Sequence, residues 1–143
     1  MRLLIGASFL LLMIACRPTG SKKAERGMNQ SLRSNTELAR LVLDKGDSSA
    51  YYELYLEFVD NDKQYDEMLY YSYAMAFRYN FPKAYMDVFY ILCKMYDINT
   101  DGDDRVSLDK MDPETKRLAI ECIRRAAKLN YLDTKEYYKY LIQ

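Results

Sequence analysis

Residues 35–143 contain only two prolines and two glycines, and each lies at the edge of a segment with helical apolar spacing. A chain that keeps both breakers out of its periodic segments is built to be helical. No Val/Ile/Thr-rich alternating stretch bounded by hairpin turns competes with that reading. The start and stop signals predict an all-α domain of six helices. The first spans about 36–45, with Asn35 as N-cap and Gly46 as its stop. The second spans about 48–60 from Asp47, and the third about 63–79. Pro82 opens a fourth over about 82–97. Asp112 and Pro113 open a fifth over about 113–129, and Asp133 with Glu136 has capping-box spacing for a sixth over about 133–142.

The junctions between these helices recur. Gly46-Asp47-Ser48-Ser49-Ala50-Tyr51 aligns with Asn80-Phe81-Pro82-Lys83-Ala84-Tyr85 at an offset of 34. Asn130-Tyr131-Leu132-Asp133-Thr134-Lys135 aligns with the second copy at an offset of 50. Each copy starts with a Gly or Asn able to take the left-handed conformation, and four residues on it carries a small side chain that lets helices approach. The second interval is lengthened by the acidic stretch DINTDGDDRVSLDKMD, residues 97–112. A helix–turn–helix period of 34 is that of tetratricopeptide repeats. Ala126-Ala127-Lys128-Leu129-Asn130 before the last helix resembles the Sel-one-like branch of that family. Asn80 and Asn130 here replace its Gly, and Thr134 replaces its Ala. The resemblance implies a short right-handed helical-hairpin solenoid; a non-repeating bundle is the alternative. Expected packing positions are Ala50, Leu54, Leu69, Ala76, Ala84, Val88, Leu92, Leu118, Ile123 and Ala126, with Arg124 and Arg125 solvated.

Ahead of this domain stand two segments of a different kind. Met1-Arg2 gives a positive start, and Leu3 to Ala15 is an apolar run without a charge. That run is short of the roughly 20 residues of a membrane-spanning helix. It fits the apolar region of a signal peptide, residues 1–15. Leu12-Met13-Ile14-Ala15-Cys16 resembles the lipobox of bacterial lipoproteins, with Met13 where Leu is usual. The resemblance implies cleavage before Cys16 and a lipid on its sulfur. Arg17 is not the Asp linked to inner-membrane retention, so the expected address is the outer membrane, facing the periplasm. Residues 16–34 then read as an anchor and polar tether. From 17 to 34 the net charge is +4, while residues 35–143 carry 15 basic and 20 acidic side chains, a net of −5. Such a tether can lie on anionic head groups or simply be solvated.

All 15 tyrosines fall between Tyr51 and Tyr140. Neighbours such as Tyr51/Tyr52 point about 100° apart on a helix, so one packs while the other faces outward. In the repeat family the first helix of each pair lines the concave side. That implies Tyr52, Tyr55, Tyr85, Phe89, Tyr96, Tyr137 and Tyr140 as partner-binding candidates; burial in the core is the alternative for each. Asp97, Asn99, Asp101, Gly102 and Asp103 reproduce the first half of an EF-hand loop, but Leu108 stands where the bidentate Glu belongs. Two readings stay open there, a weak calcium site and an exposed acidic loop. Cys93 and Cys122 could form a disulfide in an oxidising envelope or remain buried thiols.

The chain has no His, which excludes Ser-His-Asp and Cys-His nucleophile systems and His-ligated metals within it. It has no phosphate-cradling Gly-rich loop and no CxxC. Lys+Arg and Asp+Glu are both 21, which argues against a binder of nucleic acid that relies on phosphate neutralisation. The expected function is non-enzymatic: a lipid-anchored adaptor gripping another envelope protein through a Tyr-rich surface. An immunity lipoprotein that neutralises a periplasmic toxin and a calcium-responsive module are the other two readings.

Overall fold

A computed structural model describes residues 33–59, 65–100 and 106–131. Among them are five helices and no strand: α1 (Asn35–Lys45), α2 (Ser48–Val59), α3 (Tyr65–Phe77), α4 (Pro82–Met95) and α5 (Pro113–Lys128). The expected sixth helix lies outside the described residues. So do the signal segment, Cys16 and most of the tether.

Local chemistry sets the helix ends. Ser34, not Asn35, caps α1: its Oγ accepts from the Glu37 N–H at 3.2 Å, and Asn35 is already helical. Asp47 Oδ1 accepts from Ala50 N–H at 3.0 Å ahead of α2. Asp112 Oδ1 accepts from the N–H groups of both Glu114 and Thr115 at 3.0 Å, satisfying two orphan donors of α5. Phe81 precedes α4 without a side-chain cap; Pro82 removes one of the N–H groups that would need one.

Gly46 and Asn80 both adopt the left-handed conformation, with φ of 63° and 54°. In each case the next residue donates its N–H to a carbonyl six residues back, Asp47 to Leu41 at 3.3 Å and Phe81 to Met75 at 3.0 Å. The two junctions that align in sequence therefore have one geometry. Asn130 is also left-handed, at φ 59°, but Tyr131 donates to Ala126, five residues back. That form is shared with Asp97 (φ 50°), after which Ile98 donates to Cys93 at 2.8 Å. The junction at Asn130 is thus tighter than the copy with which its sequence aligns. A side chain at Gly46 would also collide with the Tyr79 ring, 2.4 Å from an added Cβ.

The helices pack in sequence. α1 contacts α2 and α3, α2 contacts α3, and the broadest interfaces are α3 on α4 and α4 on α5. Ala50, Leu54, Ala76, Ala84, Val88, Leu92, Ile123 and Ala126 are buried as expected, while Leu69 and Leu118 sit half-buried at the margin. Small residues at 50, 76, 84 and 126 leave room for neighbouring backbones. The acidic stretch 97–112 differs from a purely exposed insertion. Its described ends bury Ile98, Thr100, Val106, Leu108 and Met111 against the core. Apolar residues interspersed among the acids tie the connection down.

Candidate functional site

The adjacent tyrosines at the start of α2 divide as helix geometry requires. Tyr51 is fully buried and Tyr52 is 45 % exposed. The Tyr51 hydroxyl donates to Asp87 Oδ2 at 2.6 Å, which leaves Ser72 Oγ, 2.9 Å away, to donate to the phenol oxygen. Both Asp87 oxygens accept from Lys83 Nζ, at 2.6 and 2.7 Å. The same ammonium lies 4.0 Å from the ring centre of Tyr55 and 5.6 Å from that of Tyr52. Phe81 closes the cluster with its ring edge-to-face against both Tyr51 and Tyr52. Three helices therefore meet at one polar knot: α2 gives Tyr51 and Tyr55, α3 gives Ser72, and α4 gives Lys83 and Asp87.

Burial dominates its electrostatics. Asp87 is 3 % exposed, and loss of hydration raises its pKa even though Lys83 and Tyr51 pull the other way. Tyr51 is held well above its ordinary value, first by burial and then by the Asp87 charge. Tyr55 is pushed up to about 12 by burial, with Asp87, Tyr131 and Tyr65 adding to the effect. Among the described residues no buried side-chain polar atom lacks a partner. The knot is thus a satisfied, rigid support. Above it Tyr52 and Leu56, one turn apart on α2, are 45 % and 50 % exposed.

Of the five ring candidates among the described residues, Tyr52 and Tyr55 come together over the Lys83 ammonium. Tyr85 and Phe89 are core residues instead, 1 % and 0 % exposed. α4 is covered by α3 on one side and α5 on the other, and every residue from Ala84 to Phe89 is buried. The Tyr85 hydroxyl donates to Asn80 Oδ1 at 3.1 Å. Tyr96 lies at the far end of α4, its hydroxyl bound to Asp112 Oδ2, so it joins α4 to the start of α5. Tyr137 and Tyr140 lie outside the described residues. Sequence reasoning missed Lys83 and Asp87. The signal that could have found them is an oppositely charged i,i+4 pair inside an otherwise apolar helix.

Cys93 and Cys122 are free, buried thiols rather than a disulfide, and burial pushes each pKa up to about 12. In the acidic stretch Asp97 has a fully exposed carboxylate 3.8 Å from Lys110, whose ammonium also donates to the Asp97 carbonyl. Asn99 is exposed, and Asp101 and Asp103 lie outside the described residues. No group of three acidic or Cys side chains among the described residues is placed to hold a metal. No described helix is long and apolar enough to cross a membrane. No family model, no curated protein and no solved structure matches the chain.

Proposed function

We propose that this chain is a lipid-anchored protein-interaction module of the bacterial cell envelope, held through Cys16, facing the periplasm from the outer membrane and carrying out no chemistry of its own. The observation that carries the reading is the α2 surface. Tyr52 and Leu56 are exposed side by side over a buried knot whose hydrogen bonds are all made. Rigid aromatic anchors lose little freedom on docking, and Tyr is enriched where proteins grip one another. A short solenoid is the finer reading of the fold. The shared geometry of the Gly46 and Asn80 junctions, one repeat length apart, supports it.

Two measurements test the reading. Cys16→Ser should move the chain from the membrane fraction to the soluble fraction and abolish incorporation of labelled fatty acid; unchanged fractionation would remove the anchor from the proposal. Cross-linking of the full anchored chain in membranes should yield discrete adducts that the Tyr52→Ala/Leu56→Ala variant loses while its circular dichroism stays unaltered. Identical adducts from that variant would remove α2 as the gripping face.

A further inference from the structure

The surroundings of the Lys83 ammonium are those of a receptor for a cation. Its Nζ donates to both oxygens of Asp87, at 2.6 and 2.7 Å, and lies 4.0 and 5.6 Å from the ring centres of Tyr55 and Tyr52. Aromatic rings and a carboxylate around one positive centre are the parts of an aromatic cage, the arrangement that holds the ammonium groups of ligands. Here the occupant belongs to the chain itself. The walls are held by contacts that do not involve it. Asp87 Oδ2 also accepts from the Tyr51 hydroxyl at 2.6 Å, and the Phe81 ring packs edge-to-face on Tyr51 and on Tyr52. Lys83 enters from the first turn of α4 on a flexible four-carbon stem.

The cage runs from a buried floor to an exposed rim. The side chain of Asp87 is 4 % exposed and that of Lys83 18 %, while Tyr52 is 45 % exposed. The cation therefore lies within reach of solvent. Chemistry narrows what fits. A primary ammonium donates to both carboxylate oxygens while resting on a ring. A quaternary ammonium is drawn to the rings but has no N–H to donate, and a guanidinium is planar and wider. Exchanging one primary ammonium for another keeps Asp87 paired, so it avoids the cost of leaving a buried carboxylate without its counter-ion. An i,i+4 pair within one helix accounts for Lys83 touching Asp87, but it requires no rings from a second helix around the cation.

We propose that this cage is a binding site for a primary ammonium, filled by Lys83 in the resting chain and open to the ammonium of a ligand once Lys83 swings out to solvent. Lys83 is then an internal ligand that keeps the site shut. The inference gives the region beneath the α2 face a ligand class of its own, and it rests on neither the lipid anchor nor a protein partner.

The test uses the full chain at neutral pH in micelles of an uncharged detergent, with methylammonium, tetramethylammonium and sodium chlorides at matched concentrations. Lys83→Ala empties the cage and leaves its walls in place. Its thermal midpoint should rise saturably with methylammonium, at a half-saturating concentration at least about tenfold below that of either other cation. If Lys83→Ala is unfolded in sodium chloride, methylammonium should refold it, so the comparison decides the matter in either case. In the unaltered chain the tethered ammonium competes. Displacing it should take at least about tenfold more methylammonium than Lys83→Ala needs, read from the Lys83 ε-methylene and Asp87 carboxyl signals. Equal midpoints of Lys83→Ala in all three salts would overturn the proposal, as would an unfolded variant that methylammonium does not refold. Tetramethylammonium acting as well as methylammonium would overturn it too, because ring attraction without hydrogen bonds to Asp87 would then suffice. Lys83 signals unmoved in molar methylammonium would make the pair a permanent structural contact and overturn the exchange. None of these readouts depends on Cys16 or on capture of a partner.

Discussion

The molecule contains two versions of one device in different solvents. Lys83–Asp87 and Glu121–Arg125 are both i,i+4 pairs, and each cation lies over aromatic rings from another helix. Each pair also touches a tyrosine hydroxyl, Tyr51 in one case and Tyr85 in the other. The side chains of Lys83 and Asp87 are 18 % and 4 % exposed, those of Arg125 and Glu121 45 % and 35 %. That contrast inverts the electrostatics. Lost hydration raises the pKa of Asp87, whereas hydrogen bonds from Arg125 and then Arg124 lower that of Glu121. Like parts make a structural lock where water is excluded and a charged surface where it is not.

The sharpest way to break the contrast is to remove one member of the buried pair. Lys83→Ala should cost about 3–5 kcal/mol of unfolding free energy, because Asp87 is left charged without its counter-ion. Lys83→Met/Asp87→Leu should recover most of that loss, since a buried pair exchanged for apolar groups is often neutral. Tyr51 would then keep Ser72 as its partner. Denaturant titration measures both, and a double variant no more stable than the single would show that the pair itself stabilises. Tyr51→Phe comes next, at about 1–3 kcal/mol, because it removes a donor from Asp87 and the acceptor of Ser72.

Much of the frame was legible because single residues dictate it. A left-handed junction favours Gly and Asn, so the positions of Gly46, Asn80 and Asn130 announced three helix ends, while the fourth, at Asp97, carries a residue less distinctive of that conformation. Asp47, Asp112 and the two helix-opening prolines announced starts, and the alanines at 50, 76, 84 and 126 announced close packing. The site was much less legible. Whether a tyrosine on α4 faces a groove or the core depends on how many helices cover α4, which no local pattern states; hence Tyr85 and Phe89 went inside. Lys83 and Asp87 escaped notice because charges default to solvent unless a third element, here Tyr51, supplies the missing hydrogen bond. In residues 97–112 acidic composition masked the spaced Ile98, Val106, Leu108 and Met111.

The pH dependence should separate the two regions at both ends of the scale. The raised pKa of Tyr55 favours its neutral form in the fold. Its contribution is complete below the ordinary value of 10.0 and is lost as pH rises towards about 12. Stability should fall across that window, and Tyr55→Phe should flatten the fall; an unchanged profile would detach Tyr55 from the buried region. At acid pH the two carboxylates should move apart. Asp87, raised, should titrate above its ordinary 3.8, and Glu121, lowered, below its ordinary 4.5. As pH falls, protonation of Asp87 relieves a buried charge, whereas protonation of Glu121 removes stability present above its unfolded value. Carbon-detected titration of the side-chain carboxyls reads each midpoint, and midpoints displaced in the same direction would cancel the contrast.

The smallest effect tests the exposed pair alone. Glu121→Gln should change unfolding free energy by a small fraction of the Lys83→Ala loss, because the pair is half-exposed and water screens it. Added salt should shrink even that difference. The Phe77 and Tyr85 rings still hold Arg125 when the carboxylate is gone. A variant that loses stability on the scale of Lys83→Ala would place Glu121 in a lock like that of Asp87, and the two regions would no longer differ in kind.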